Sequence, residues 1–401
     1  METPYYYAAP PGPMAPMVWL KPAPQKLFQP TQLKDHFRFF EVPARKWWWA
    51  LIALVVTGVL WFVVQLIASI AMIISDLETL ETGEIATTPA VFLINNLSIV
   101  ASIPLAVLVA WLFYKQGFGW LSSVVGRFRW KWFGLTLGVF TIGYLAMTGG
   151  DILIGGVENA GFDELAILPY TWFMIAAILL TTPLQAAAEE FFLRGLVPRL
   201  VCALIPVRGV GLILSALVTS GLFMWMHGSQ DLWLNIYYFG VALVMWWLCY
   251  RTGGVEAAVA SHIIWNLLAL WTLPFSDFSN MFERGDGSGS PALMIYLAVE
   301  IAMALIIDWL ARRRGLVRMA APAASIPQVV RARTMILSLT AAEQATPADL
   351  PRFDSTVREA PMAEPWAVPV PYGAPVWAPP IPDPMVTPFV DEDSIPFRIV
   401  E

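Results

Sequence analysis

Several things that soluble proteins use freely are scarce in this chain. It has two cysteines, Cys202 and Cys249, in 401 residues, which excludes a disulfide framework. Charged residues make up 13% of it, about half the share of an average globular chain, so an ordinary soluble domain is excluded as well. Cations are outnumbered, 24 Lys and Arg against 30 Asp and Glu, and no basic footprint exists of the kind that nucleic acid requires. Histidine is rare too, at three residues. There is no internal repeat. A cleavable signal peptide is not expected, because about 46 mostly polar, proline-containing residues precede the first apolar run.

What is present is apolar. Hydrophobic residues reach 58%, with 19 tryptophans. Eight windows are long enough to cross a hydrocarbon core of roughly 30 Å: residues 47–74, 90–114, 132–149, 168–188, 209–227, 232–250, 255–273 and 291–311. Runs of this length can satisfy their backbone hydrogen bonds in lipid only as helices, since barrel strands need about ten alternating residues. The sequence therefore predicts an all-α polytopic bundle of about eight transmembrane helices over residues 46–314, with Trp47-Trp48-Trp49 opening the first. Cations gather in alternate connections: Arg45 and Lys46, then Lys115 to Lys131, then Arg199 and Arg208, then Arg251, then Arg312 to Arg318. The intervening connections are acidic, and Arg284 alone breaks the pattern. That alternation predicts a multi-pass protein of a plasma membrane with both termini in the cytoplasm.

The two ends differ from the middle. Nine of the 32 prolines fall before residue 46 and fifteen after residue 314, which predicts extended, solvated cytoplasmic tails over 1–45 and 315–401. A short helix is expected at 329–344. Trp366, Tyr372 and Trp377, interleaved with prolines, suit a proline-reading partner, although a tail with no specific ligand is the simpler expectation and no partner is identified.

Polar side chains at membrane depth are costly, so each needs a partner or a cavity. The fourth window ends in Gln185-Ala186-Ala187-Ala188-Glu189-Glu190-Phe191-Phe192-Leu193-Arg194. Neighbouring helical residues point about 100° apart, so Glu189 and Glu190 cannot serve one spot. Glu190 and Arg194 stand at i, i+4 in the favourable order and are read as a neutralised pair, which leaves Glu189 to face an interior cavity. His227 closes Phe223-Met224-Trp225-Met226-His227 at the end of the fifth window. His262 lies in the seventh with Asn266 at i+4. A neutral imidazole can accept a proton or bind a divalent metal, a carboxylate can act as general base toward water, and a carboxamide can donate to an oxyanion. Each group alone suits a structural role; the concentration on three windows is what points to hydrolysis. Asn95 and Asn96 are expected to tie helices together, Glu300 to accept from Tyr296 at i-4, and Gln185 to sit one turn from Glu189.

Glu189-Glu190-x-x-x-Arg194, Phe223-x-x-x-His227 and His262-x-x-x-Asn266, in that order over about residues 170–275, resemble the three signature motifs of the CPBP family. These are the type II CAAX prenyl endopeptidases with bacterial bacteriocin-processing and immunity relatives, a resemblance that also suggests a bacterial membrane. It implies an intramembrane endopeptidase in which Glu189, His227 and His262 line the active site, Asn266 helps bind water or the oxyanion, and Glu190, Arg194 and Phe223 support them. The substrate class implied is a membrane-associated peptide or protein. Alternatives stay open: a non-catalytic membrane scaffold or immunity-type protein, and a transporter, for which no inverted repeat speaks.

Two His and a Glu also form the ligand set of some catalytic zinc sites, so Glu189, His227 and His262 are candidate ligands for Zn²⁺ as well as candidate bare catalytic groups. One conflict of depth is visible. At 1.5 Å per residue, His262 lies about 10 Å inward from the start of its span, whereas His227 ends its own. Straight helices with the boundaries above would hold them apart.

Overall fold

The computed structural model describes residues 27–75, 87–156, 165–205, 207–279, 281 and 284–323. The helix expected at 329–344, the prolines beyond it and residues 1–26 lie outside these.

Among the described residues eight helices are long and apolar enough to cross a membrane: Trp47–Ser75, Pro89–Tyr114, Trp130–Gly155, Thr171–Leu204, Arg208–Met226, Leu232–Thr252, Glu256–Phe275 and Leu293–Arg313. The expected all-α membrane bundle is what the chain forms. The first span shows why composition revealed it: Leu51, Val55, Val59, Phe62, Leu66 and Ile70 all stand exposed, an apolar surface that only lipid would cover.

Chain chemistry sets the ends. Thr88 caps the second span, its hydroxyl accepting from Val91 N–H at 3.2 Å with Pro89 in the first turn. Asp231 caps the sixth, accepting from Leu234 N–H at 2.9 Å and Gly287 N–H at 3.0 Å, and these donors, Leu234 foremost, hold its carboxyl below the usual carboxylate range. The sixth span stops at Gly253, whose φ of 71° is left-handed. A Cβ there would lie 2.7 Å from Arg318 Cα. The second span breaks at Ala101 into Pro89–Val100 and Ser102–Tyr114, because Pro104 cannot donate to the turn before it.

The fourth span differs most from expectation. Instead of ending near residue 188 it runs 34 residues to Leu204, through a π-helical turn at Phe191–Leu196 that is buried throughout. Arg194 and Arg199, which lowered the apparent hydropathy there, are both fully buried. The second, fifth and seventh spans pack against this helix, the third against the seventh and the sixth against the eighth.

Three cations expected in solvated connections instead make internal bonds. Arg129 pairs with Glu256 at 2.6 Å with both side chains buried. Above that pair, Val124 N–H donates to Gly253 O and Val255 N–H to Ser122 O, which joins two connections. Arg251 donates to Asp308 at 2.7 Å. Arg199 meets Gln116 and His36.

Residues 27–45, expected as part of a solvated tail, are folded. Strand β1 (Lys34–Asp35) pairs antiparallel with β2 (Met319–Ala320), the latter on the segment expected to be tail beyond 314. Phe37, Phe39 and Phe40 are buried. Phe37 stacks on Trp246 at 4.6 Å and Phe40 on Tyr114 at 4.0 Å. Burial of three aromatic side chains outweighs the local proline content.

Candidate active site

Residues from the fourth, fifth and seventh spans meet at the middle of the bundle. The long fourth span resolves the conflict of depth. With its end at Leu204 instead of residue 188, Glu189 lies mid-helix, and the fifth span returns from Arg208 far enough for its last residues to face it. At 1.5 Å per residue the two lengths, Glu189 to Leu204 and Arg208 to His227, are about 22 and 28 Å.

Glu189 and Glu190 part ways as expected. Glu190 is fully buried, and its Oε1 accepts from Arg194 Nη1 at 3.0 Å and from His262 Nδ1 at 2.8 Å. It therefore serves two partners, where the sequence offered one. Because this carboxylate can only accept, Nδ1 carries the ring proton and Nε2 is left as an acceptor. That Nε2 stands 4.0 Å from Glu189 Oε2, too far for a direct hydrogen bond and close enough for one water to reach both. Glu189 Oε1 accepts from Gln185, whose Oε1 in turn accepts from Asn266 Nδ2 at 3.1 Å. Asn266 is thus joined to Glu189 through Gln185.

Phe223 is the hub on the other side. Its ring lies 4.4 Å from His227 and 5.8 Å from His262, and the Arg194 guanidinium covers it at 4.8 Å, a cation–π contact in a dry site. His227 donates Nδ1–H to Phe223 O at 2.7 Å and stacks on Tyr238 at 4.1 Å. Its Nε2 is then the acceptor. Arg284, which broke the charge alternation, donates to His227 O at 2.7 Å and lies over the Tyr238 ring.

Glu189 forms part of the wall of a cavity of about 310 Å³ shared with Trp61, Asn95 and Phe192. The two histidines do not line that wall. Beneath His262, Glu300 accepts from Ser261 at 2.7 Å and from Tyr144. Tyr296, expected as its donor, bonds Asp151 at 3.1 Å instead, because the third and seventh spans bring closer donors than the helical neighbour. Asn96 ties the second span to Thr181 and Thr182 at 2.9 and 3.3 Å, as anticipated. Tyr238 and Tyr144 carry no signal in the sequence, since an aromatic in a membrane helix is unexceptional.

Zinc would need ligands at about 2.0–2.2 Å from a common point. Among the described residues no three His, Cys, Asp or Glu side chains are gathered in a way that could hold a metal ion. Glu189 and His262 approach each other, while His227 is turned onto Phe223 O and Tyr238. The residues as arranged do not fit that ion.

No curated protein and no solved structure matches the chain. Residues 170–268 match the family model Rce1-like, described as type II CAAX prenyl endopeptidase Rce1-like. The segment that assembles the glutamate and histidine cluster therefore falls in the CPBP, or CAAX protease, family of membrane proteases.

Proposed function

We propose that the protein hydrolyses a peptide bond in a membrane-associated peptide or protein, with Glu189 as general base and His262 as the group that orients the attacking water. The observation that carries this is the 4.0 Å gap between Glu189 Oε2 and His262 Nε2 at the edge of a cavity. Both atoms are acceptors, so a water between them points both protons away from its lone pairs, which are left to attack a carbonyl.

The step balances on the chain's own groups. Glu189 takes a proton as the water oxygen bonds to the carbonyl carbon, and the oxyanion forms. The C–N bond then breaks as Glu189 returns that proton to the leaving nitrogen. Asn266 supplies an amide donor for the oxyanion once a substrate displaces its bond to Gln185 Oε1. His227, turned onto Phe223 O and Tyr238, takes no part in holding this water. Glu190 and Arg194 neutralise each other and fix the His262 tautomer. No step runs through a metal. A CAAX-type peptide is the substrate class that the family description suggests, and the charge alternation along the chain favours both termini in the cytoplasm.

The test compares membrane peptides from cells carrying the native protein and its Glu189→Ala variant. A single uncut precursor accumulating in the variant supports the proposal. A scaffold would keep its cellular effect without Glu189, and identical peptide profiles would reject hydrolysis.

A further inference from the structure

Of two adjacent asparagines at membrane depth, only one has an occupation. Asn96 donates to Thr181 and Thr182. Asn95 has no hydrogen-bond partner for its carboxamide among the described residues. With Asn96 held toward the fourth span, Asn95 turns about 100° away and lines the cavity beside Glu189. Facing it from the first span is Gln65, whose Nε2 is closed off from solvent and unpartnered, while Ser98 approaches its Oε1 at 3.5 Å. Amides without partners are costly in an apolar wall, and here that wall includes Trp61, Ile99 and Phe192.

We infer that Asn95 and Gln65 form a binding rail for the main chain of a peptide, placing it against Glu189. The assignment rests on the proposed hydrolysis only in naming what is bound. A carboxamide presents a donor and an acceptor together, and an extended peptide backbone offers the complementary pair whatever its side chains. An acyl chain offers neither, and a phosphate offers acceptors alone, which would leave the Asn95 oxygen unpaired. Gln65 Nε2, closed off as the side chain now stands, gains the acceptor it lacks when the amide turns into the cavity to meet a peptide carbonyl. Both residues lie outside the 170–268 match, so the first two spans would supply substrate binding and the later spans the chemistry.

The experiment uses the full-length protein in liposomes and a fluorescent CAAX-type tetrapeptide bearing a prenylated cysteine. Binding is measured in the cleavage-dead Glu189→Gln background, and KM and kcat in the native background, for Asn95→Leu and Gln65→Met. Each substitution should weaken binding and raise KM about tenfold, the size of one hydrogen bond, with kcat within about twofold because the contact is kept from ground state to transition state. The unliganded thermal midpoint should hold or rise, since an unpartnered amide has been replaced by apolar atoms. Unchanged binding and KM would overturn the rail, as would a fall in the unliganded midpoint or absence of saturable binding to the parent. Binding that depends on Asn95 without any cleavage would instead reject the hydrolase and leave the rail standing.

Discussion

At the scale of single residues, two adjacent carboxylates do different work because a helix turns them apart. Glu189→Gln is expected to abolish cleavage, by at least about a hundredfold for loss of a general base, while the thermal midpoint stays near that of the native protein. Glu190→Gln should do the opposite first. It leaves the fully buried Arg194 without its carboxylate, and breaking a buried pair costs about 3–5 kcal/mol, read as a large fall in midpoint. Equal midpoints for the two variants would contradict the division of roles. A strong chelator should leave cleavage intact, because His227 is turned away from the Glu189 and His262 pair; loss of activity reversed by zinc would recast Glu189 as a ligand. The Glu190 and Arg194 pair was legible in the sequence, since both lie on one helix. The Glu190 bond to His262 was not, because it joins residues 72 apart.

At the scale of elements, hydropathy placed all eight spans and misplaced the end of the one that matters most. Arg194 and Arg199 read as a loop because a transfer scale cannot see their partners. Glu190 satisfies the first, and Gln116 and His36 meet the second. The same blindness put Arg129 in solvent, when Glu256 at the start of the seventh span was waiting for it. That pair anchors the helix that carries His262, and Arg129 Nη1 also donates to Thr252 O at 2.9 Å. Glu256→Gln should therefore lower the thermal midpoint strongly, the expected loss being about 3–5 kcal/mol for an orphaned buried cation. Glu256→Gln together with Arg129→Met should recover part of it. If the single substitution is silent in a melting experiment, the pair does not fasten the seventh span.

At the scale of the whole molecule, residues 27–45 join distant parts of the bundle. Composition hid this: the local pattern His36-Phe37-Arg38-Phe39-Phe40 was readable as a buried cluster, but nine prolines nearby argued for a tail. His36 is the pin. It is fully buried, with Arg199 Nη2 donating to Nδ1 at 2.8 Å and Nε2 donating to Arg194 O at 3.2 Å. Burial first, and then the Arg199 charge, hold its pKa well below the ordinary 6.5. Above pH 6.5 the imidazole is neutral in both folded and unfolded chains, and its bonds contribute in full. Below that, the unfolded chain takes up a proton that the folded one refuses, so stability falls as pH drops toward the folded value. His36→Gln can keep both contacts, accepting from Arg199 and donating to Arg194 O, without titrating. Thermal midpoints of the native and His36→Gln proteins, compared at pH 7.5 and pH 5, should diverge: the native falls more steeply, and parallel falls would mean that this imidazole does not hold the amino-terminal segment in the fold.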